Sequence, residues 1–516
     1  MAINDRDPIQ MKAKNKVIGA FDLGASGGKF IVGIFDKGKF STREIYRFIN
    51  KPVNLYLGEK GKTVHKIYWN ILSLYDELIV GLKKLKDFGI ERLDSLGIDT
   101  WGTDGECFTK DGEIIGRVHN YRDHRLDRIR DKLFKIIPER ELFELTGVPS
   151  YPFNEVNQLF WLAKKRPSLL KLADFFLPIT SIFYYYLGGA RICEYTWAST
   201  TQLLDPFKKN WRKKIFEKIK APLSIMPRIV MPGTKIGSLH REIAREIGIN
   251  QFQLIATAAH DTACAYAAAP IEKEENSLII SSGTWSLVGK LIPSPLINED
   301  VYRGHFTNEG GLGNIRFLKN VMGTWILQEL RRVWKEKDKK ELSWDQIVKM
   351  AKKGEKFFAF IDPDNGLFYN PGNMENAIKE FCKKTGQKIP RSRETILRIV
   401  YESLALKYQL TNAMIEEITG KKNKTVHVIG GGANSVLLNQ FTAGATGLPV
   451  IAGPIEATAI GNILIQAKTL GIIKSMKETR RLIKDSFPLK AYKPEEIFVW
   501  RKAMESFKKE VKWKRE

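Results

Sequence analysis

Three places in the 516-residue chain set carboxylates beside glycines or a histidine. Asp22 ends an apolar run and is followed by Gly24-Ala25-Ser26-Gly27-Gly28-Lys29. Glycines let backbone N–H groups approach phosphate oxygens, a carboxylate can hold Mg²⁺ directly or through water, and Lys29 can add a cation. The same residues also make an ordinary hairpin in which Asp22 bonds local backbone. At the second place, His260-Asp261-Thr262-Ala263 follows a strand-like run and opens an alanine-rich helical pattern. Asp261 there is a helix N-cap, or a general base that takes a proton from a hydroxyl attacking phosphorus. The third place is Ile98-Asp99-Thr100-Trp101-Gly102-Thr103-Asp104. At the carboxyl end of a strand in an open α/β sheet, Trp101 can pack on a sugar face and Gly102 can admit a close hydroxyl. Equally, Asp99 can cap a turn and Trp101 can be core.

Further along, Val428-Ile429 runs into Gly430-Gly431-Gly432 and then a helical pattern. Ser435 stands where a dinucleotide fingerprint wants its third glycine, so the run reads as a flat surface for an adenine or ribose. Asn320 and Gln328 fall on one side of an expected helix Val321–Glu336 and can hydrogen-bond a nucleotide. Gly28-Lys29 is followed by Phe30 rather than Ser or Thr, which excludes a Walker A loop. No HExxH motif or metal-ligand pair occurs among the 7 histidines. Tyr121-Arg122-Asp123-His124-Arg125 reads as a solvated salt-bridge network, and Lys208–Lys220 as a solvated basic helix face.

These residues need elements to hold them. Lys16–Leu23 is nearly continuously apolar, as a buried strand is, and Phe30–Phe35 follows the glycine turn as its antiparallel return. Ser277–Ile280, the turn Ser281-Ser282-Gly283-Thr284 and Trp285–Leu291 repeat that unit in the second half, which suggests two domains of one architecture. Between and after them the expected strands are Leu93–Ile98, Leu254–Thr257, Thr425–Ile429 and Pro449–Ile451. The expected helices are Ile71–Lys86, Glu155–Lys165, Pro167–Phe176, Ile396–Ile418, Asn434–Thr446 and Thr458–Leu470. Alternating strands and helices define an α/β protein. The break between halves is expected near Ala268–Asn276.

With 43% hydrophobic and 27% charged residues, the chain can bury a sizeable core and is not globally disordered. The formal net charge of +25 attracts nucleic acid, anionic lipid or a phosphorylated ligand without choosing among them. Four cysteines, Cys107, Cys193, Cys264 and Cys382, form no CxxC pair and suit a reducing cytosol. Met1–Asn15 lacks the apolar core of a signal peptide, and the greasiest stretch, Ala173–Ala190, is broken by Asp174, Pro178, Thr180 and Ser181. The expectation is a cytoplasmic protein without a membrane segment.

The order of the motifs adds a resemblance. The three carboxylate segments, Tyr121–Arg125, Ser282-Gly283-Thr284-Trp285-Ser286, Asn308-Glu309-Gly310-Gly311, Arg316-Phe317-Leu318-Lys319-Asn320, Gly430-Gly431-Gly432 and Glu456-Ala457-Thr458-Ala459-Ile460-Gly461-Asn462 follow one another as they do in the FGGY carbohydrate kinases. The chain resembles that family from about residue 17 to 465. The resemblance implies two actin-like (ribonuclease-H-like) α/β domains with a cleft between them. The boundaries expected are a disordered extension at 1–15, a sugar-kinase domain at 16–268, a nucleotide-binding domain at 269–495 and a basic helix or tail at 496–516. It implies ATP- and Mg²⁺-dependent phosphorylation of a ketose at O1, L-rhamnulose first, with L-fuculose, xylulose or ribulose as alternatives. Asp261 matches the catalytic base, and His260 and Gly102 match sugar contacts, to which Trp101 and Asp104 are added. Ala25, Ser26, Gly27, Gly28, Lys29 and Thr284 match the phosphate loops, Asn320, Gln328 and Gly431 match nucleotide positions, and Asp22 fits a metal-side carboxylate. The expected partners are a ketose and ATP, in a monomer or homodimer, with no nucleic acid and no membrane. Two departures stand out. Gly27 and Lys29 replace Ser and Arg in the first loop, and Thr103-Asp104-Gly105-Glu106 is more polar than the family tends to be. An actin-like ATPase without a sugar substrate and a nucleic-acid-binding protein are the competing classes.

Overall fold

The computed structural model describes residues 14–59 and 61–511. The extension expected at 1–15 lies almost wholly outside them, as do residues 512–516 of the helix or tail expected at 496–516.

The apolar run from Lys16 becomes β1 (Lys16–Leu23), which returns through β2 (Gly27–Asp36) and β3 (Lys39–Ile49) as an antiparallel meander. β4 (Ser95–Thr100) lies parallel to β1 and is buried at every residue, as a strand covered on both faces must be. β5 (Thr234–Ser238) and β6 (Gln253–Ala256) complete a six-stranded sheet in the order β5-β6-β4-β1-β2-β3. The second half repeats the plan. β7 (Ser277–Ser282) returns through β8 (Trp285–Ile292), and β9 (Thr307–Gly310) and β10 (Ile315–Met322) extend that edge. β11 (Thr425–Ile429) and β12 (Val450–Ala452) run parallel to β7, and β13 (Lys490–Tyr492) closes a seven-stranded sheet β9-β10-β8-β7-β11-β12-β13. Each sheet contains three antiparallel strands joined to two parallel ones, the ribonuclease-H-like arrangement.

Two helices lie between the sheets. α3 (Asp261–Ala267) follows β6, and α7 (Ala457–Thr469) follows β12 yet packs on β1 and β4 of the other sheet. Ile18, Ala20 and Ile31 of the first sheet, Ile279 and Ile429 of the second, and Ala265, Ala459 and Ile463 of the helices share one apolar core. The helices touch through backbone. A Cβ on Gly461 would sit 1.8 Å from the Cys264 carbonyl oxygen. α7 also carries a polar edge. Gln466 bonds the Gly19 carbonyl and Ser95, and Asn462 bonds Asp99. That edge fills the space a side chain at Gly97 would need.

α1 (Ile71–Lys83) packs on β3, and residues 101–233 form a largely helical layer beside the first sheet, with α2 (Glu155–Lys165) where its periodicity predicts. The edge strand β9 of the second sheet seats on this layer. Asn308 bonds the Gly147 carbonyl, and the Gly310 N–H donates to Ser199. The long helix α5 (Arg393–Thr419), α6 (Val436–Thr446) and α8 (Ile497–Glu510) pack behind the second sheet.

Three expectations are corrected. The helix expected over Pro167–Phe176 stops at Leu172, because Phe175–Pro178, buried throughout, pairs with Gly105–Phe108 as a two-stranded ribbon. The helix expected from Val321 starts at Trp325 as α4 (Trp325–Asp338), because Val321 and Met322 end β10 and Gly323 turns against the Gly283 carbonyl. Tyr121–Arg125 is solvated only in part, at Arg122 and His124. Asp123 and Arg125 are buried, Asp123 accepting from the Ile67 N–H and Arg125 bonding Gln158. The four cysteines are all buried and unpaired, and among the described residues no helix is long and apolar enough to cross a membrane.

The α3–α7 contact yields a stability prediction. Gly461→Ala forces two helix backbones apart and is expected to cost about 2 kcal/mol or more. Gly58→Ala, in open space, is expected to stay within about 0.5 kcal/mol of the parent. Urea unfolding midpoints compare them.

Candidate active site

The carboxyl ends of β1, β4 and β6 lie side by side, and each delivers an acid. Asp22 on β1 is the register partner of Asp99 on β4, and Thr100 bridges in parallel to His260 just beyond β6. The Thr100 N–H donates to the Ala259 carbonyl at 2.8 Å, which extends the sheet as far as His260-Asp261. Sheet geometry thus brings Asp22, Asp99 and Asp261 together.

Their environments differ. Asp99 is fully buried, with one oxygen held by Asn462 at 2.6 Å and the other without a hydrogen-bond partner. Burial, with the charge of Asp22, pushes its carboxyl well above the ordinary range. Burial and then the charge of Asp261 raise Asp22 to about 7, against Lys29 and Arg47. Asp261 keeps 30% of its side chain exposed. Burial raises it too, against His260, the Thr262 N–H and Arg316. Asp261 is not the N-cap. His260 occupies that position, and Asp261 is the first helical residue, its Oδ1 accepting from the Thr262 N–H at 2.6 Å.

His260 is fixed from every side. Its ring fills the space a side chain at Gly102 would need, 2.8 Å from the missing Cβ. Gly102 is therefore a packing requirement of the imidazole. The His260 N–H donates to Thr196, which with the Ala259 N–H is held by the buried Glu194. Nε2 lies 3.1 Å from Thr262 Oγ1 and 3.5 Å from Asp261 Oδ1. Nδ1 faces Arg316 and Glu309 of the second sheet. Trp101 and Asp104 stand inside the wall. Trp101 packs on Trp69, their ring centroids 4.1 Å apart, and Asp104 accepts from Trp69, Trp101, Gln158 and the Tyr121 N–H. Asp104 thus orders the wall from behind.

The first glycine turn approaches the acids from β1–β2. Gly28 leaves room for the Phe48 ring and Gly27 for the Phe48 carbonyl, while Ala25 and Ser26 form the tip. Lys29 pairs with Glu456, next to α7, at 2.6 Å. In the second sheet the turn before Thr284 is tied to α4, since Thr324 donates to the Gly283 carbonyl through both its N–H and its hydroxyl. Gln328 donates to Thr324 Oγ1. Gly432 packs on Ser282, whereas nothing approaches the missing Cβ of Gly431. Thr284, Gln328 and Gly431 are thereby linked around one turn. Asn320 is not on a helix with Gln328. It lies on β10, with its side chain beside the half-buried Tyr151 of the helical layer.

Sequence reasoning missed Arg316, Glu309, Glu194, Asn462 and Glu456 as parts of this site. The available signal was a charge inside an apolar strand, as in Ile315-Arg316-Phe317-Leu318, because a buried charge requires a partner.

The N-terminal domain model of the FGGY family of carbohydrate kinases matches residues 17–267, and the C-terminal domain model matches 278–470. The chain belongs to the FGGY family of carbohydrate kinases, and ATP and a sugar are the substrates this implies. Among its relatives, a rhamnulokinase of Bacteroides thetaiotaomicron is 39% identical over 490 residues, covering 95% of this chain and 98% of that protein. A rhamnulokinase of Bacillus subtilis is 36% identical over 479 residues, covering 93% of this chain and 95% of that protein. The gluconate kinase structure from Lactobacillus acidophilus superposes with a TM-score of 0.77 at 14% identity, covering 96% of this chain and 97% of that one. The Plasmodium falciparum glycerol kinase structure with ADP has a TM-score of 0.75 at 14% identity, covering 96% and 98%. These structures share the fold.

The raised Asp22 predicts a pH effect. Unfolded Asp22 ionises near 3.8 and folded Asp22 near 7, so the folded state holds the proton more tightly. The penalty is absent below the lower value, grows between the two and is complete above the upper one. Asp22→Asn removes it. In metal-free buffer the variant is expected to gain urea midpoint over the parent at pH 8 and to match it near pH 4. An equal gap at both pH values would contradict the assignment.

Proposed function

We propose that this chain transfers the terminal phosphoryl group of ATP to the O1 hydroxyl of L-rhamnulose, giving L-rhamnulose 1-phosphate and ADP. The observation that carries the reading is Asp261. Like Asp22, and unlike the buried Asp99, it is partly exposed, and it alone is flanked by a histidine whose orientation the whole wall fixes. The relatives described above, matched along most of their length, are rhamnulokinases, which supports the choice of sugar. The polar departure Thr103–Glu106 does not oppose it. Thr103 bonds the Phe153 carbonyl, Asp104 is fully engaged, and Glu106 accepts from the Cys107 N–H, so these groups serve the wall's interior.

In this reading residues 16–268 hold the sugar and 269–495 hold the nucleotide. His260 and the edge of Gly102 orient the ketose against the Trp101–Trp69 wall. Asp261 accepts the O1 proton as that oxygen forms its bond to the γ-phosphorus and the bond to ADP breaks. Ala25–Lys29 and Thr284 face the phosphates, and Lys29 exchanges Glu456 for phosphate oxygens. Asn320, Gln328 and Gly431 line the nucleoside end. Mg²⁺, when bound, neutralises phosphate charge.

Asp22, raised by burial beside two other acids, and the unpartnered oxygen of Asp99 fit a cation there. No group of three metal-binding side chains occurs among the described residues, so Asp22 would share the ion with phosphate and water, the usual pattern for Mg²⁺.

An ADP-release assay across L-rhamnulose, L-fuculose, D-xylulose, L-ribulose and glycerol is expected to give the highest kcat/KM with L-rhamnulose. A clear preference for another substrate would overturn the sugar assignment. Asp261→Asn is expected to lower kcat by about 10²–10⁴-fold while calorimetric affinity for ATP is retained. Near-parental turnover would remove Asp261 from the base role.

A further inference from the structure

The groups that face His260 Nδ1 come from the other half of the molecule. Arg316 on β10 is fully buried and spends its donors on three targets. Nε donates to the Gly310 carbonyl at 2.8 Å, Nη1 donates to Thr262 Oγ1 at 2.8 Å, and Nη2 is directed at His260 Nδ1 at 3.3 Å. Glu309, at the end of β9, forms an ion pair with Nη2 at 3.0 Å and lies 3.4 Å from His260 Nδ1. The two strands are antiparallel neighbours with Glu309 opposite Arg316, so backbone register fixes the pair before any ligand arrives.

We propose that Arg316, paired with Glu309, is a positioning residue that holds His260 as the Nε2–H tautomer beside Asp261. This rests on the kinase reading above and deepens it. Nη2 meets Nδ1 with hydrogen-bond geometry, whereas the Glu309 carboxylate near the same nitrogen makes no hydrogen bond to it, so Nδ1 is the acceptor and the ring proton sits on the opposite nitrogen. That nitrogen is the one on the side of Asp261 and Thr262. An N–H there attracts the carboxylate and can donate to a sugar oxygen next to O1. A lone pair there would repel the carboxylate and leave the sugar oxygen without a donor. The second sheet thereby sets the chemical form of a residue belonging to the first.

The test uses the full-length protein. Nitrogen-15 spectra of ring-labelled histidine at pH 8, with His260→Gln for assignment, are expected to show Nε2–H in the parent and Nδ1–H or a mixture in Arg316→Met. With the ketose the parent uses, Arg316→Met is expected to lower kcat about 10–100-fold and raise the sugar KM, with the KM for ATP within about twofold. Glu309→Gln, which keeps an acceptor for Nη2, is expected to lose about tenfold or less. Arg316→Lys keeps the charge but not the three-way donor fork, so it is expected to fold and still fall about tenfold or more. It decides the matter if Arg316→Met does not fold. An Nδ1–H ring in the folded parent, or Arg316→Lys within about twofold of parental kcat, overturns the proposal. A parent that phosphorylates none of the ketoses instead overturns the kinase reading, and the spectra separate that result from a failure of the tautomer assignment.

Discussion

Like charge is the constraint on which this molecule is built. Adjacent parallel strands place Asp22 opposite Asp99, and the next strand runs straight into Asp261. No change of side-chain rotamer separates acids that the sheet register puts together. Withdrawal from water raises all three carboxyls, and crowding by their neighbours in the cluster adds to it at Asp22 and Asp99. The groups that oppose this cost come from different elements. Asn462 on α7 serves Asp99, Lys29 and Arg47 on the meander serve Asp22, and His260 with Arg316 serve Asp261. Two of these five lie in the second half of the chain, so the second half completes the electrostatics of the first sheet.

The glycines tell a related story. In a sequence, a glycine-rich turn beside an acid suggests backbone opened to a ligand. In the structure most of these glycines are filled by the protein itself. His260 occupies the space at Gly102, Phe48 that at Gly28, Ser282 that at Gly432 and a helix backbone that at Gly461. Only Gly431 has open space over its missing side chain among the site glycines of the second sheet, with Gly283 nearly so. The rest lock the turns in place, so that the exposed tips, Ser26 and Thr284, are held without sealing them.

The limits of reading the sequence follow from the same physics. β1, α2 and β11 match their expected spans residue for residue, because an unbroken apolar run or a clear helical period fixes them locally. The repeated strand–glycine–strand unit correctly suggested two sheets of one plan. The long polar meander strand β3 left no alternation strong enough to register, and the β10-to-α4 junction was lost because apolar residues continue across it. Asp22 and Asp261 were legible as acids beside ligand-like turns. Their partners were not, since Asn462 is 363 residues from Asp99 and Arg316 is 56 from His260. Contacts of that separation leave no period or spacing in the chain, and only the incongruity of a charge within an apolar strand hints at them.

The account stands or falls on where the acceptor hydroxyl lies. A crystal structure with L-rhamnulose, ADP and a planar aluminium fluoride in place of the moving phosphoryl group measures this directly. The expected complex has the sugar O1 within about 2.6–3.2 Å of the Asp261 carboxylate and collinear with the fluoride centre and the leaving oxygen of ADP. A complex in which O1 meets Asp22 or Asp99 instead, with Asp261 turned back onto the Thr262 backbone, would contradict it.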